Sequence, residues 1–236
     1  MLIRHAKIFN MGLLLSVSFL VVLFLIFQPL FNGRTGLEFS DDLFNKLSKG
    51  SSYFIPQVTK DNEKFTGANF SVTIKLDKPE QVEKAVKILL VAGAQVAAQD
   101  TSVTISGDLG KLLGNIIKDS EEMYKNEGDK VSSRYGVKYI DVMPLWWSIL
   151  SKANKELQKE KKINESGMVT AVLQKAVEPA YNYYGIEAES VMGKLFTMIG
   201  LLVFYVLYTM WWGYAIYYLF DGIGLSMKKA KVKKEV

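Results

Sequence analysis

Two pairs of adjacent carboxylates, Asp41-Asp42 and Glu121-Glu122, are the nearest approach in this chain to a general acid and base. Acid–base chemistry needs two groups that converge on one substrate bond. Neighbours on a helix point about 100° apart, so both pairs read as solvated surface. Gly107-Asp108-Leu109-Gly110 has the two glycines of a phosphate-cradling turn. No Gly-Lys-Ser/Thr ending follows, and Asp108 puts a negative charge where the phosphate would sit. Asp108 is expected instead to cap the helix that follows it. Asn69-Phe70-Ser71 and Asn164-Glu165-Ser166 match the N-glycosylation triplet, and both are expected to be incidental. The one histidine, His5, lies between Arg4 and Lys7, and there is no cysteine. Disulfides, thiolate zinc sites and iron–sulfur clusters are therefore excluded, as is histidine catalysis in the main body. The expectation is a chain with no catalytic residue, no cofactor and no bound metal, and not an enzyme.

Aromatic clusters are the other group with chemical potential. Trp146-Trp147 and the tyrosines Tyr181, Tyr183 and Tyr184 have the surface to line a ligand pocket. Their neighbours are core-type or membrane-type residues, so packing or interfacial anchoring is the expected role.

The elements that carry these residues separate by charge. Leu195 to Phe220 runs 26 residues without a charge. As a helix it reaches about 39 Å, more than the roughly 30 Å of a bilayer's hydrocarbon core. Ile8 to Gly33 is also charge-free. It opens like a signal peptide, but the apolar run is long and no small-x-small cleavage pattern follows. It is read as an uncleaved signal-anchor helix over 9–30, with Pro29 near its outer end.

The net charge of +5 comes from the flanks of these runs. Arg4 and Lys7 precede the first, and Lys228, Lys229, Lys231, Lys233 and Lys234 follow the second, while Arg34 to Gly193 holds 21 Lys and Arg against 22 Asp and Glu. Basic flanks fit the positive-inside rule better than they fit nucleic-acid binding, which is not expected. These residues set the topology. The two flanking stubs, 1–8 and 221–236, are expected in the cytoplasm and the main domain outside it, on the periplasmic face of an inner membrane.

Within the second run, Tyr205, Tyr208 and Trp212 fall at helical spacing on one side, and Trp211, Tyr214 and Tyr218 form an adjoining stripe. Lipid belts place Trp and Tyr at the ends of a span, yet Tyr205 and Tyr208 lie near its middle. A phenol hydroxyl finds no partner among lipid tails, so these six residues are expected to face protein. The first helix of the same chain offers Ser16, Ser18 and Gln28 as polar partners, and other subunits are the second option.

The body over 31–193 shows strand and helix periods in turn. Ser40 is expected to cap a short helix that Gly50-Ser51-Ser52 ends. Asn69 to Leu76 alternates Phe70, Val72, Ile74 and Leu76 with polar residues, the mark of a strand buried on one face. Pro79 opens a helix, Ala94 to Ala98 and Ser102 to Ser106 read as short strands, and a helix with Leu109, Leu112, Leu113, Ile116 and Ile117 follows. In element order alone this resembles a split βαβ unit. Residues 125–136 read as a loop. Pro144 then starts the first arm of a helical hairpin, and the second arm kinks or restarts at Glu178-Pro179.

The fold class expected is therefore a membrane protein, with transmembrane helices at 9–30 and 195–220 flanking an extracytoplasmic α+β domain. The flanking stubs are too short to fold into a signalling module, so a stand-alone receptor is not expected. The first functional expectation is a non-enzymatic accessory or structural subunit of a membrane complex. The alternative is a self-assembling two-helix oligomer that forms a channel or organises envelope polymer export. Partners would be membrane lipid and other integral membrane subunits, or further copies of this chain.

Overall fold

A computed structural model describes residues 3–225 of the chain. The elements run α1 (Ala6–Ile26), α2 (Gly36–Ser51), α3 (Ile55–Asn62), β1 (Asn69–Lys75), α4 (Pro79–Val91), β2 (Gln95–Gln99), β3 (Ser102–Asp108), α5 (Leu109–Tyr124) and α6 (Gly128–Tyr135). Then come α7 (Tyr139–Lys159), α8 (Ile163–Val172), a π-helical turn (Leu173–Val177), α9 (Glu178–Asn182) and α10 (Leu195–Gly222). The chain divides into two compact units, Met1–Phe44 with Ser190–Val236, and Asn45–Glu189.

The first unit is built on α1 and α10. Both α1 and the stretch Met192–Gly222 are long and apolar enough to cross a membrane, by length and composition. They pack antiparallel. The amides of Arg4 and His5 both donate to the carbonyl of Gly222 at 2.9 Å. Further along, Trp211 Nε1 donates to the carbonyl of Leu15 at 3.1 Å, and Phe19 stacks on Tyr208 at 4.2 Å. Two glycines set how close the backbones come. A Cβ on Gly12 would lie 2.6 Å from the Leu219 nitrogen, and one on Gly222 would lie 2.6 Å from the Phe9 Cα. Small residues at helix crossings permit this kind of approach.

After α1, Asn32 and Gly33 both take positive φ, 53° and 79°. This is the type I′ pattern, closed by reciprocal bonds between Phe31 and Arg34 at 3.0 and 3.1 Å. The helix that follows starts at Gly36, earlier than Ser40, because Thr35 and Glu38 form a capping box. The Thr35 amide donates to Glu38 Oε2 at 2.8 Å and the Glu38 amide to Thr35 Oγ1 at 3.2 Å. Ser40 bonds back to the carbonyl of Gly36.

The second unit is an α+β body. Its sheet has the order β1-β3-β2, both pairings antiparallel, with Asn69 opposite Asp108 and Gln95 opposite Ser106. Strands β1 and β2 therefore run parallel to each other with β3 between them, joined through α4. One face carries Val72, Ile74, Val103 and Ile105 into the core. The other is polar, and the Thr73 and Thr104 hydroxyls pair across it at 2.9 Å. Asp108 caps α5 as its sequence position implies, accepting from the Lys111 amide at 3.0 Å and from the Gly67 amide at 2.9 Å. Those amides hold its carboxyl below the ordinary aspartate range.

Two local expectations change. Residues 128–135 form a helix, α6, which buries Val131 and Tyr135. Helix α7 begins at Tyr139, so Pro144 stands inside it rather than at its start. Where the chain enters and leaves the body, Lys49 is buried. Its ammonium donates to the carbonyl of Ile186 at 2.5 Å and to Asn126 Oδ1 at 3.1 Å, and sits 5.0 Å over the Tyr124 ring. Burial lowers its pKa from the usual lysine value.

Candidate functional site

Three groups of side chains in the two units have functional potential. In the helix pair, the six aromatic residues singled out by spacing divide into two sets. Tyr208 and Trp212 meet Phe19 face on, at 4.2 and 4.6 Å, and Trp211 meets it edge on at 6.4 Å. Trp211 also supplies the one side-chain hydrogen bond between the helices among the described residues. Tyr218 lies against Tyr214 and Tyr217, with ring centroids at 6.3 and 5.4 Å. Tyr205 and Tyr214 are largely uncovered, with 64% and 51% of their surfaces exposed. The polar residues of the first helix meet none of these tyrosines. Ser16 and Ser18 bond instead to the carbonyls of Gly12 and Leu15 on their own helix, and Gln28, just past its end, to that of Phe24. The hydroxyl of Tyr208 is buried with no partner among the described residues. Of the residues assigned to topology, Arg4 and Lys7 are exposed at the head of α1. Lys228, Lys229, Lys231, Lys233 and Lys234 lie outside the described residues.

In the body, one carboxylate, Asp119 on α5, is fully buried. It accepts from Tyr135 Oη at 2.6 Å, from Trp146 Nε1 at 2.9 Å and from Arg134 Nη1. Arg134 also reaches Glu122 at 2.5 Å. Burial pushes the Asp119 carboxyl up, against the pull of its donors, and pushes the Tyr135 phenol up as well. With no exposed surface, Asp119 reaches no substrate. It ties α5, α6 and α7 together. The sequence carried a signal for it, because Leu112, Ile116, Asp119 and Met123 share one stripe of α5, and a charge on a buried stripe needs a partner.

The third group is a cleft of about 340 Å³ within the body, lined by Met143, Pro144, Trp147, Val177, Glu178, Tyr181 and Asn182. Pro144 and Trp147 come from α7, and the rest of the opposite wall from the π turn and α9. The Trp146-Trp147 pair is split by this arrangement. Trp146 is buried at Asp119, while Trp147 is 48% exposed in the cleft and donates its indole N–H to Glu178 Oε1 at 3.0 Å. Tyr181 is half exposed beside it, whereas Tyr184 packs on Tyr139 at 4.7 Å. The adjacent acid pairs do not converge. Glu121 accepts from Tyr53 and pairs with Lys125, while Glu122 turns to Arg134; Asp42 pairs with Arg34. Among the described residues no group of three or more His, Asp or Glu side chains is placed to hold a metal ion.

No protein-family model, no curated protein and no solved structure matches the chain.

Proposed function

We propose that this chain is a non-enzymatic accessory subunit of a membrane protein complex. In this reading α1 and α10 span a cell membrane, the inner one in a two-membrane envelope. The Arg4 end of α1 and the Gly222 end of α10 lie on the cytoplasmic side. The α+β body lies outside, in the periplasm, as a surface for protein contact. Basic residues at the head of α1 support that orientation, as do the adjoining ends of the two helices.

One observation carries the proposal: α10 has more aromatic surface than α1 covers. Tyr205 and Tyr214 lie within about 10 Å of the centre of a 28-residue helix, and their hydroxyls have no hydrogen bond among the described residues. Lipid tails offer a phenol no partner, so a second polypeptide is the environment that satisfies both. Photocrosslinking tests this. With p-benzoylphenylalanine at 205 or 214 in native membranes, the expected product is an adduct to another integral membrane protein. Adducts to lipid alone overturn the proposal. Adducts between copies of this chain would replace it with the self-assembling oligomer, the reading in which a ring of hairpins forms a channel or organises polymer export.

A further inference from the structure

We propose that the cleft between α7 and α9 binds an alkylammonium ion, with Glu178 as its counter-ion and Trp147 and Tyr181 as its aromatic walls. The backbone first explains why these groups meet. Pro179 has no amide hydrogen, so the carbonyl of Lys175 loses its i+4 donor. The preceding turn widens, and the Glu178 amide donates to the carbonyl of Leu173 five residues back. One extra residue rotates the following segment by about 100° relative to a continuous α-helix. Glu178 and Tyr181, three residues apart, then share the face that meets α7. Turns of this kind recur at functional sites. On α7, Pro144 lies one turn before Trp147 and completes the opposite wall.

The chemistry follows from what lines the space. Glu178 is half-buried and accepts one hydrogen bond, from the Trp147 indole. A carboxylate has about four acceptor positions, and no Lys, Arg or His pairs with this one among the described residues. An anion would meet that charge unfavourably. A neutral apolar ligand would strip water from it and give nothing back. An ammonium group satisfies it, and its alkyl part fits the apolar wall of Pro144 and Val177. Cations are attracted to Trp and Tyr rings within about 6 Å of the centroid. About 340 Å³ is at the small end of ligand cavities, which suits a small amine or the end of a lysine side chain.

The test uses the full-length protein in detergent, titrated with n-butylammonium, n-butanol or butyrate. Binding is read by calorimetry and by the Trp147 indole N–H resonance. The expected result is millimolar binding of n-butylammonium that shifts this resonance, with n-butanol and butyrate at least about tenfold weaker. Glu178→Gln keeps the acceptor for Trp147 and removes the charge, so the fold is retained and affinity falls about tenfold or more. Nα-acetyllysine methylamide is the second arm. Binding of either amine supports the site, and the tighter of the two distinguishes a free amine from a protein-borne one. No shift of the Trp147 resonance with either amine at about 50 mM overturns the proposal. So does equal binding of n-butanol, or a folded Glu178→Gln variant with unchanged affinity.

Discussion

In the body, a core of apolar side chains is sealed from solvent: Val103, Leu113, Ile116 and Trp146 are all fully buried. In the helix pair the order is reversed. Phe196 is 89% exposed, Leu14 68% and Phe24 64%, and Phe19 is the one large side chain of α1 that is buried. The polar groups follow the same inversion. The body places a carboxylate at its centre and surrounds it with three donors, whereas each serine of α1 bonds to its own helix. A water-solvated unit excludes water from its core and can bury charge only when the charge is paired. In the helix pair, contact relies on close approach and ring stacking, the means open to helices that, as proposed, lie in surroundings as apolar as they are. In the proposed membrane reading one chain carries two designs for two solvents, and substitutions ought to act on them separately.

The largest separation is expected from Asp119→Ala. It leaves Arg134, Tyr135 and Trp146 without their shared acceptor in a dry interior. Removing one partner of a buried pair costs about 3–5 kcal/mol. Thermal unfolding of the body, followed by near-ultraviolet dichroism, should shift down by roughly 10 °C or more. Brominated acyl chains quench tryptophans that touch lipid, and quenching of Trp211 and Trp212 should stay as in the parent. A parallel change in that quenching would show that the two designs are not independent.

Gly12→Val probes the other unit. Its added carbons meet the backbone of Tyr218 and Leu219 at under 3 Å, with nothing flexible to yield. Overpacking of this kind costs about 1–3 kcal/mol. The helices should part at their close crossing, exposing Trp211 and Trp212 to brominated chains, while the body's melting temperature holds. A double variant with Asp119→Ala should show the sum of the two effects within about 0.5 kcal/mol.

The same contrast decides what could be read in the sequence. A single solvent leaves a period, so the alternation of Asn69 to Lys75 and the stripe of α5 were legible, and so was the Asp108 cap. Helix α6 was not, because Val131 and Tyr135 are its only apolar anchors. Its helical state comes from packing and from the Arg134 and Tyr135 bonds to Asp119. The start of α2 was written in Thr35-x-x-Glu38 but masked by Ser40-Asp41-Asp42, which offers a similar hydroxyl and carboxylates, the hydroxyl five positions later. Pro144 reads locally as a start signal, and only tertiary contact carries the helix back to Tyr139. The cleft was not legible. Trp147 and Glu178 are 31 residues apart and meet only through the packing of α7 on the π turn. In the helix pair, spacing placed six aromatics on two adjoining stripes, and α1 meets residues of both: Tyr208 and Trp212 from one, Trp211 from the other.

The smallest effect expected is also confined to one unit, and it tests a charge at the surface rather than in the core. Asp108 is half-buried, and the amides of Lys111 and Gly67 lower its pKa below the ordinary value of 3.8. A carboxyl with a lower pKa in the folded state than in the unfolded one releases its proton more readily when folded. Its contribution to stability is therefore complete above the unfolded value and disappears as pH falls through the folded one. Asp108→Asn keeps an oxygen that can accept from the Lys111 amide and removes the titration. The variant should melt slightly below the parent at pH 7, and the gap should close as pH falls below about 3.8. A gap that persists unchanged at pH 2 would mean that the cap acts through geometry alone, and that the charge on Asp108 adds nothing at the start of α5.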